Sequence, residues 1–166
     1  MSAARNVTTS KPKRILMVVA NPAVSTTLGW PVGFWASEMT HPYHEFIETG
    51  YEIDLASPAG GKVEIDALSD PRHESGYSAY DLISMGFLNT QLLAAMFENT
   101  KKPEAVDASR YDAIVVCGGQ SPMFTFRGDR TLQALLARFY EAEKITAACV
   151  TASRHSLTRS LAMDRT

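Results

Sequence analysis

A continuous apolar run near the start of the chain, residues 14–20, constrains the fold more than any other feature of the sequence. The run does not alternate apolar with polar residues, which is typical of a parallel strand covered on both faces. Residues 21–31 contain prolines and small polar residues and predict a loop. Residues 33–49 then place large apolar side chains at helical spacing, with Pro42 as a boundary or kink. A buried strand followed by a helix is the repeating unit of parallel α/β sheets.

Three further segments carry strand signals and alternate with predicted helices. The predicted strands are residues 51–57, 111–117 and 145–149. Helical spacing covers residues 79–97, in two pieces separated near residues 86–89, and a second helix is capped by Asp129 and runs to about Glu143. This alternation predicts an α/β fold with a flavodoxin-like, doubly wound parallel sheet and helices on both faces.

Composition bounds the size and class of the molecule. The chain has 166 residues, 45% of them hydrophobic, and a net charge of -2 with both signs mixed. We predict a short disordered lead-in over residues 1–13 and a single domain over residues 14–166 that is incomplete after residue 149. The charge gives no reason to expect a nucleic-acid or membrane partner, and no stretch is long and apolar enough to span a bilayer.

The chain has two cysteines, Cys117 and Cys149, and each closes an apolar run. This placement suits reduced thiols in a cytoplasmic protein better than a disulfide framework. A parallel strand that stops at Cys149 and turns sharply into a helix exposes its sulfur above the sheet, where the helix N-terminus favours the thiolate. Such a nucleophile elbow predicts a reactive cysteine, and the alternative is a buried structural one. Cys117 is expected in the core.

Several short motifs occur in an order that points to one family. They are Gly33-Phe-Trp-Ala-Ser-Glu38 with His41-Pro42-Tyr43, Ala56-Ser-Pro-Ala-Gly-Gly61, Asp66 with Ser69, Tyr111-Asp112, and Cys117-Gly-Gly119. Together they closely resemble the ThiJ/PfpI superfamily, whose members are relatives of class I glutamine amidotransferases. The resemblance is nearest to the branch of glyoxalase III-type enzymes and heat-shock holding chaperones, and it covers about residues 13–149.

The resemblance implies roles for particular residues. Cys149 would be the nucleophile, and Glu38 would lie against it, share a proton with it and relay protons. The backbone N–H groups of Gly118, Gly119 and Val150 would face a developing oxyanion. The alternatives are an ordinary surface glutamate and glycines that only form a tight turn. His41 and His44 are expected at the surface or in packing rather than as metal ligands.

The function that the resemblance implies is a glyoxalase III-type lyase. Such an enzyme converts a small 2-oxoaldehyde, for example methylglyoxal, to a 2-hydroxy acid without an added cofactor, and a homodimer is the implied assembly. Two other functions stay open. One is a holding chaperone of the stress response, and the other is an amidotransferase-like hydrolase.

The sequence departs from the family directly after Cys149. Val150 stands at the family's histidine position and Thr151 at its glycine, and relatives continue through further strands. A frameshift explains both departures: codons permitted for residues 150–166, read without their first two bases, can give His-Gly-Ile-Ala-Ala-Leu-Leu. We therefore expect a truncated fold with an exposed sheet edge. Whether this product is active or an inactive truncated form stays open. The nucleotide sequence after the Cys149 codon tests this hypothesis.

Overall fold

The computed structural model describes residues 12–149, which form an α/β fold around a parallel sheet. The four strands of this sheet are β1 (Arg14–Val18), β4 (Glu52–Ala56), β5 (Ala113–Cys117) and β6 (Ile145–Cys149). Their spatial order is β4-β1-β5-β6, and every neighbouring pair is parallel. The predicted fold class is confirmed, and each strand lies inside a segment that the apolar pattern had indicated.

A small hairpin occupies part of the segment that the sequence predicted only as a loop. Its two strands are β2 (Ala23–Val24) and β3 (Pro31–Val32), which pair antiparallel. Each contributes only two residues, a length too short to produce an alternation of apolar and polar side chains. The hairpin delivers the chain from the carboxyl end of β1 to the start of the first helix.

Within residues 12–149, five α-helices connect or follow the strands. They are α1 (Ala36–Glu48), α2 (Leu82–Asn89), α3 (Gln91–Ala94), α4 (Ser121–Thr125) and α5 (Arg130–Glu141). Pro42 lies inside α1 and does not end it. Asp129 caps α5 as predicted, because its carboxylate accepts hydrogen bonds from the backbone N–H groups of Thr131 and Leu132 at 2.9 and 2.8 Å.

The predicted division of residues 79–97 into two helical pieces is confirmed, with the break directly after the expected residues 86–89. The first piece, α2, continues through Gly86 and ends at Asn89. Thr90, with an extended ψ of 108°, separates α2 from α3. Glycine costs a helix interior only about 1 kcal/mol, so packing of the neighbouring apolar side chains outweighs its propensity.

Helices cover the sheet on both faces, as the doubly wound prediction requires. The first core cluster contains the side chains of α1 and α2 that face the sheet, including Met39, Tyr43 and Phe87. The second contains Leu132, Leu135 and Phe139, which lie on one side of α5. The strands supply alternate residues to the two clusters. No helix in the described part of the chain is long and apolar enough to cross a membrane.

The strand β6 lies where an exposed sheet edge was expected. The residues before Cys149 are exposed, and Ile145 keeps 69% of its surface accessible. Within residues 12–149, β6 pairs with β5 alone and forms an edge of the sheet. An apolar sequence can therefore produce an exposed strand when nothing in the described fold covers its second edge.

The Tyr111-Asp112 motif forms hydrogen bonds near the amino ends of the strands, at the end of the sheet opposite the cysteines. The Tyr111 hydroxyl donates to the Asp54 carboxylate at 2.7 Å, and the Asp112 carboxylate accepts the Arg14 backbone N–H at 2.8 Å. Arg14 and Lys101 each form an ion pair with Asp54 at 2.9 Å. This motif serves the packing of β1, β4 and β5 and contributes nothing to the candidate site.

Candidate functional site

The segment before α1, residues 33–35, is held between two other parts of the chain. On one side, the Phe34 N–H donates to the Glu64 carbonyl at 3.3 Å and the Phe34 carbonyl accepts the Asp66 N–H at 2.7 Å. Phe34 is fully buried. Residues 33–35 therefore enter the core as an extended segment that cannot shift without breaking these bonds.

On its other side, the same segment bonds to the turn that follows β5. The Trp35 N–H donates to the Gly118 carbonyl at 3.0 Å, and the Gly33 carbonyl accepts the Ser121 N–H at 3.0 Å. Since Gly118 comes directly after Cys117, these bonds tie the start of α1 to the carboxyl end of β5. Carboxyl ends of parallel strands are where α/β proteins bind their ligands.

Two glycines of the motifs are required by this close approach. A Cβ on Gly33 would lie 2.4 Å from the Glu64 carbonyl oxygen, and one on Gly119 would lie 2.3 Å from the Trp35 nitrogen. Gly119 also has φ = +124°, a backbone conformation that side chains oppose. These positions exclude every residue larger than glycine, so the glycines allow three segments to pack backbone against backbone.

The Asp66 and Ser69 motif sets where α1 begins. The Ser69 hydroxyl accepts the Ala36 N–H at 3.0 Å and donates to the Asp66 carbonyl at 2.7 Å. The N-cap residue of α1, Trp35, provides no side-chain bond to the helix. Ser69 thus replaces the usual cap from a distant part of the sequence, and this places Glu38 in the first turn of α1.

Glu38 is a buried acid that faces the two cysteines. Only 5% of its surface is exposed. Burial raises the pKa of the Cys149 thiol, and the charge of Glu38 raises it further. The bond from the Trp35 N–H to the Gly118 carbonyl places the first turn of α1 against the carboxyl end of β5, whose last residue pairs with Cys149. The fold thus places the acid and the cysteine that the resemblance had paired at the same edge of the sheet.

Cys117 joins these two groups on the same face of the sheet. It is the direct register partner of Cys149 across β5 and β6. Its side chain is fully buried, as predicted, while that of Cys149 is half-buried. Burial raises the pKa of Cys117 well above its ordinary value, and the charges of Cys149 and Glu38 add to this effect. The pKa of each thiol at the carboxyl edge of the sheet is therefore raised, by burial first and by neighbouring charge second.

The predicted oxyanion donors separate into three different cases. The Gly118 N–H donates to the Cys149 carbonyl at 2.9 Å, a bond of the β5–β6 ladder, so this amide is not free for an oxyanion and its predicted role is corrected. The Gly119 N–H has no hydrogen-bond partner within residues 12–149. Val150 lies outside the described residues, so its predicted role stays a prediction.

The two histidines of α1 lie at the surface, as expected. His44 is exposed, and His41 Nε2 lies 2.8 Å from an Asp81 carboxylate oxygen with its side chain 47% exposed. Residues 12–149 contain no group of three or more histidine, cysteine or acidic side chains that could hold a metal ion.

Asp81 is a residue whose importance the sequence analysis missed. Its carboxylate accepts the Ser84 N–H at 3.0 Å and the Ser84 hydroxyl, and Ser84 lies 2.6 Å from the Thr40 hydroxyl. These hydrogen-bonded side chains join α1 to α2. Asp81 also lines an open groove of about 550 Å³, together with Trp35, Tyr77 and Tyr80 among others. An aspartate preceding an apolar segment is an N-cap signal, so the sequence did contain an indication of it.

Comparison with known proteins assigns the family. The model of the DJ-1/PfpI family matches residues 30–164, which is more than half of the chain. The chain belongs to the DJ-1/PfpI family. The ThiJ/PfpI resemblance is therefore confirmed, and the matched range begins and ends later than the motifs had suggested.

Two curated relatives of this DJ-1/PfpI chain carry glyoxalase names. "Glyoxalase 3" of Candida albicans is 26% identical over 122 residues, which cover 72% of this chain and 49% of the relative. "Probable glutathione-independent glyoxalase hsp3103" of Schizosaccharomyces pombe is 22% identical over 139 residues, covering 72% and 53%. The chain thus spans about half the length of the curated relatives it matches.

Solved structures support the fold assignment. The Rapid Encystment Protein 24 KDa of Francisella tularensis is 27% identical with a TM-score of 0.70, over 82% of this chain and 57% of that one. Glyoxalase III from Candida albicans is 23% identical with a TM-score of 0.65, over 82% and 56%. The second similarity concerns the fold alone.

Proposed function

We propose that this DJ-1/PfpI chain performs chemistry of the glyoxalase III type, converting a small 2-oxoaldehyde such as methylglyoxal to a 2-hydroxy acid without an added cofactor. One arrangement supports the proposal: the first turn of α1, with the buried Glu38, lies against the carboxyl edge of the sheet, where Cys149 ends β6. The glyoxalase names of two relatives support the choice of substrate class.

The first step uses the Cys149 sulfur as a nucleophile. The thiolate attacks the aldehyde carbon, a carbon–sulfur bond forms, and the carbonyl electrons move to oxygen, which takes a proton to give a hemithioacetal. The Gly119 N–H, unbonded within residues 12–149, is the donor best suited to the developing oxyanion. The Val150 amide is proposed as the second donor.

The second step moves a proton between two carbons of the bound substrate. Glu38 takes the proton from the carbon bonded to sulfur, and the neighbouring carbonyl oxygen takes a proton, which gives an enediol. Glu38 then returns its proton to the neighbouring carbon while the hydroxyl on the sulfur-bearing carbon loses its proton, which leaves a thioester of the 2-hydroxy acid. Water then cleaves the thioester, releases the acid and restores the thiol, so that the aldehyde and one water balance the product. Because Val150 stands where the family has histidine, Glu38 must move protons without that partner.

Lactate formation from methylglyoxal tests the proposal. The Cys149→Ala variant is expected to lose turnover completely, because the atom that bonds the substrate is removed. Cys117→Ala is the matched control, since it removes a thiol from the same face of the sheet but leaves the proposed nucleophile in place. Lactate production that survives in Cys149→Ala shows that Cys149 is not the nucleophile.

A second candidate function rests on exposed apolar side chains. Tyr77, Tyr80, Leu82 and Leu92 are all largely exposed, and Tyr80 and Leu92 keep 95% and 84% of their surface accessible. Such side chains suit a holding chaperone, which binds the apolar segments of unfolded clients. Suppression of client aggregation that is unchanged in Cys149→Ala but reduced in a Tyr80→Ser, Leu82→Ser double variant favours this function.

A further inference from the structure

The chain has only two cysteines, and they occupy paired positions on neighbouring strands. Cys117 and Cys149 are register partners in the parallel pair β5–β6, so their side chains project from the same face of the sheet. Neighbouring strands lie about 4.8 Å apart. This spacing falls inside the range of about 4.4–6.8 Å between Cα atoms that a disulfide needs. The hydrogen bond from the Gly118 N–H to the Cys149 carbonyl, at 2.9 Å, holds this register.

The two thiols differ sharply in their access to solvent. Cys149 is half-buried, whereas the Cys117 side chain is completely covered and belongs to the core cluster beneath α1. A dissolved oxidant can therefore reach Cys149 but not Cys117. Cys117 can react only with a group that is attached to the neighbouring Cys149.

We propose that Cys117 and Cys149 form a dithiol that a hydroperoxide converts to an intrachain disulfide, with Cys149 as the attacking and Cys117 as the resolving cysteine. This modification goes beyond the proposed aldehyde chemistry and does not depend on it. It takes the Cys149 sulfur out of use as a nucleophile until a thiol reductant restores it.

The reaction proceeds in two balanced steps. The Cys149 thiolate attacks the hydroperoxide; a sulfur–oxygen bond forms, the oxygen–oxygen bond breaks, and the leaving alkoxide or hydroxide takes a proton to become an alcohol or water. The Cys149 sulfur is then a sulfenic acid. The Cys117 thiolate attacks that sulfur, the disulfide forms, and the sulfenic oxygen leaves as water. Two thiols are oxidised and one hydroperoxide is reduced.

Oxidation of Cys149 makes the second step easier than it is beside a Cys149 thiolate. Burial raises the pKa of Cys117, and the charge of Cys149 raises it further. A neutral sulfenic acid at Cys149 removes the second of these effects, so ionisation of Cys117 becomes easier once Cys149 has been oxidised. The strand ladder also holds the two residues in register, so they react without a diffusive search.

The same geometry makes the disulfide reversible. A strand spacing of about 4.8 Å is shorter than the Cα separation of about 5.5–6 Å that disulfides prefer. Disulfides forced away from their preferred geometry are reduced more readily. A thiol reductant such as dithiothreitol is therefore expected to reduce the disulfide.

Mass spectrometry of the oxidised full chain tests the proposal. The reduced protein is treated with equimolar hydrogen peroxide, denatured, and alkylated with N-ethylmaleimide. The expected product has lost two hydrogens and carries no label, and trypsin releases residues 111–127 crosslinked to residues 145–154. Dithiothreitol restores two labelled thiols. A wild-type chain that accumulates sulfinic acid at Cys149, or that crosslinks to a second chain instead, overturns the proposal.

Two variants separate the roles of the cysteines. In Cys117→Ser the crosslink is lost and Cys149 gains two oxygens as sulfinic acid, since no thiol resolves the sulfenic acid. In Cys149→Ser the buried Cys117 stays a free thiol. Oxidation of Cys117 in that variant contradicts the assigned order. The mass of the wild-type product decides the matter even where a variant folds poorly, and it is independent of whether methylglyoxal is turned over.

Discussion

At the scale of single residues, burial and Glu38 both raise the pKa of the candidate nucleophile. Burial of the Cys149 thiol opposes its ionisation most, and the carboxylate of Glu38 acts in the same direction. In the proposed reaction the thiolate is the form that attacks, so Glu38 would reduce the attacking population while it supplied the proposed proton relay. In such a site, the thiolate population is smaller, but a group that can transfer protons lies nearby.

Replacing Glu38 by glutamine is expected to lower the pKa of Cys149, because the opposing charge disappears while the effect of burial remains. The midpoint of the pH profile for iodoacetamide alkylation, followed on the peptide that contains Cys149, measures the change. Glu45→Gln removes an exposed carboxylate from the same helix and is expected to leave the midpoint at its wild-type value. An unchanged midpoint in Glu38→Gln means that the carboxylate does not act on this thiol.

Alanine at Gly119 is expected to destabilise the fold by about 2–4 kcal/mol, since its Cβ meets the Trp35 backbone and its φ is positive. The same change at Gly86, inside α2 with open space around it, is expected to stabilise by up to about 1 kcal/mol. Denaturant titrations of the two variants measure both effects. Equal effects at the two positions contradict the close packing of residues 33–35 against Gly119.

At the scale of elements, the position of α1 is determined by bonds from outside the helix. Ser69 caps its first residue, and the side chains of Thr40 and His41 connect it to Ser84 and Asp81 of the α2 region. The sequence of α1 therefore specifies a helix, while these contacts specify where it begins and how it faces the sheet. The orientation of Glu38 follows from them.

Replacing Asp81 by alanine is expected to lower the free energy of unfolding by roughly 1–2 kcal/mol at pH 7, because α2 loses its cap and α1 loses a contact. Burial tends to raise the pKa of Asp81, but hydrogen bonds from Ser84 and His41 outweigh it and lower the pKa below its ordinary value. The contribution of the charged carboxylate is therefore complete above the unfolded pKa of about 3.9 and is lost as the pH falls through the folded pKa.

Denaturant titrations from pH 7 to pH 3 follow this dependence. The difference between wild type and Asp81→Ala is expected to shrink at the acid end. Glu98→Gln, at an exposed position, serves as the control and is expected to leave stability unchanged. A difference that stays constant over this pH range indicates that the Asp81 charge contributes nothing.

At the scale of the whole molecule, the sheet has an accessible edge at β6. Within residues 12–149 this strand pairs only with β5, and its residues before Cys149 are exposed. Free strand edges invite pairing with other chains. The described residues thus form a well-packed core and leave the β6 edge open to pairing with another chain.

A lysine at Thr146, in the middle of exposed β6, is expected to weaken self-association, because charges on an edge strand oppose pairing between chains. Sedimentation velocity over a range of protein concentrations measures the effect. Asn99→Lys adds the same charge at an exposed position beside the opposite edge of the sheet, where Lys101 bridges to Ala56, and is the matched control. A reduction of the same size in both variants assigns the effect to net charge and not to the β6 edge.

Local signals in the sequence predicted the main elements and indicated the family. Apolar runs and helical spacing located the four sheet strands, the cap at Asp129 and the two strand-end cysteines, because these signals are local. The motifs led to the DJ-1/PfpI family. Such features follow from the chemistry of neighbouring residues along the chain.

How these elements meet follows from the tertiary structure. The pairing of Cys117 with Cys149, the use of the Gly118 amide by the ladder and the close packing of Gly33 and Gly119 depend on which segments are adjacent and in what register. The capping of α1 by Ser69 likewise joins positions distant in sequence. A local pattern carries no information about such partners, since the free energy that selects them comes from packing and hydrogen bonding across the whole fold.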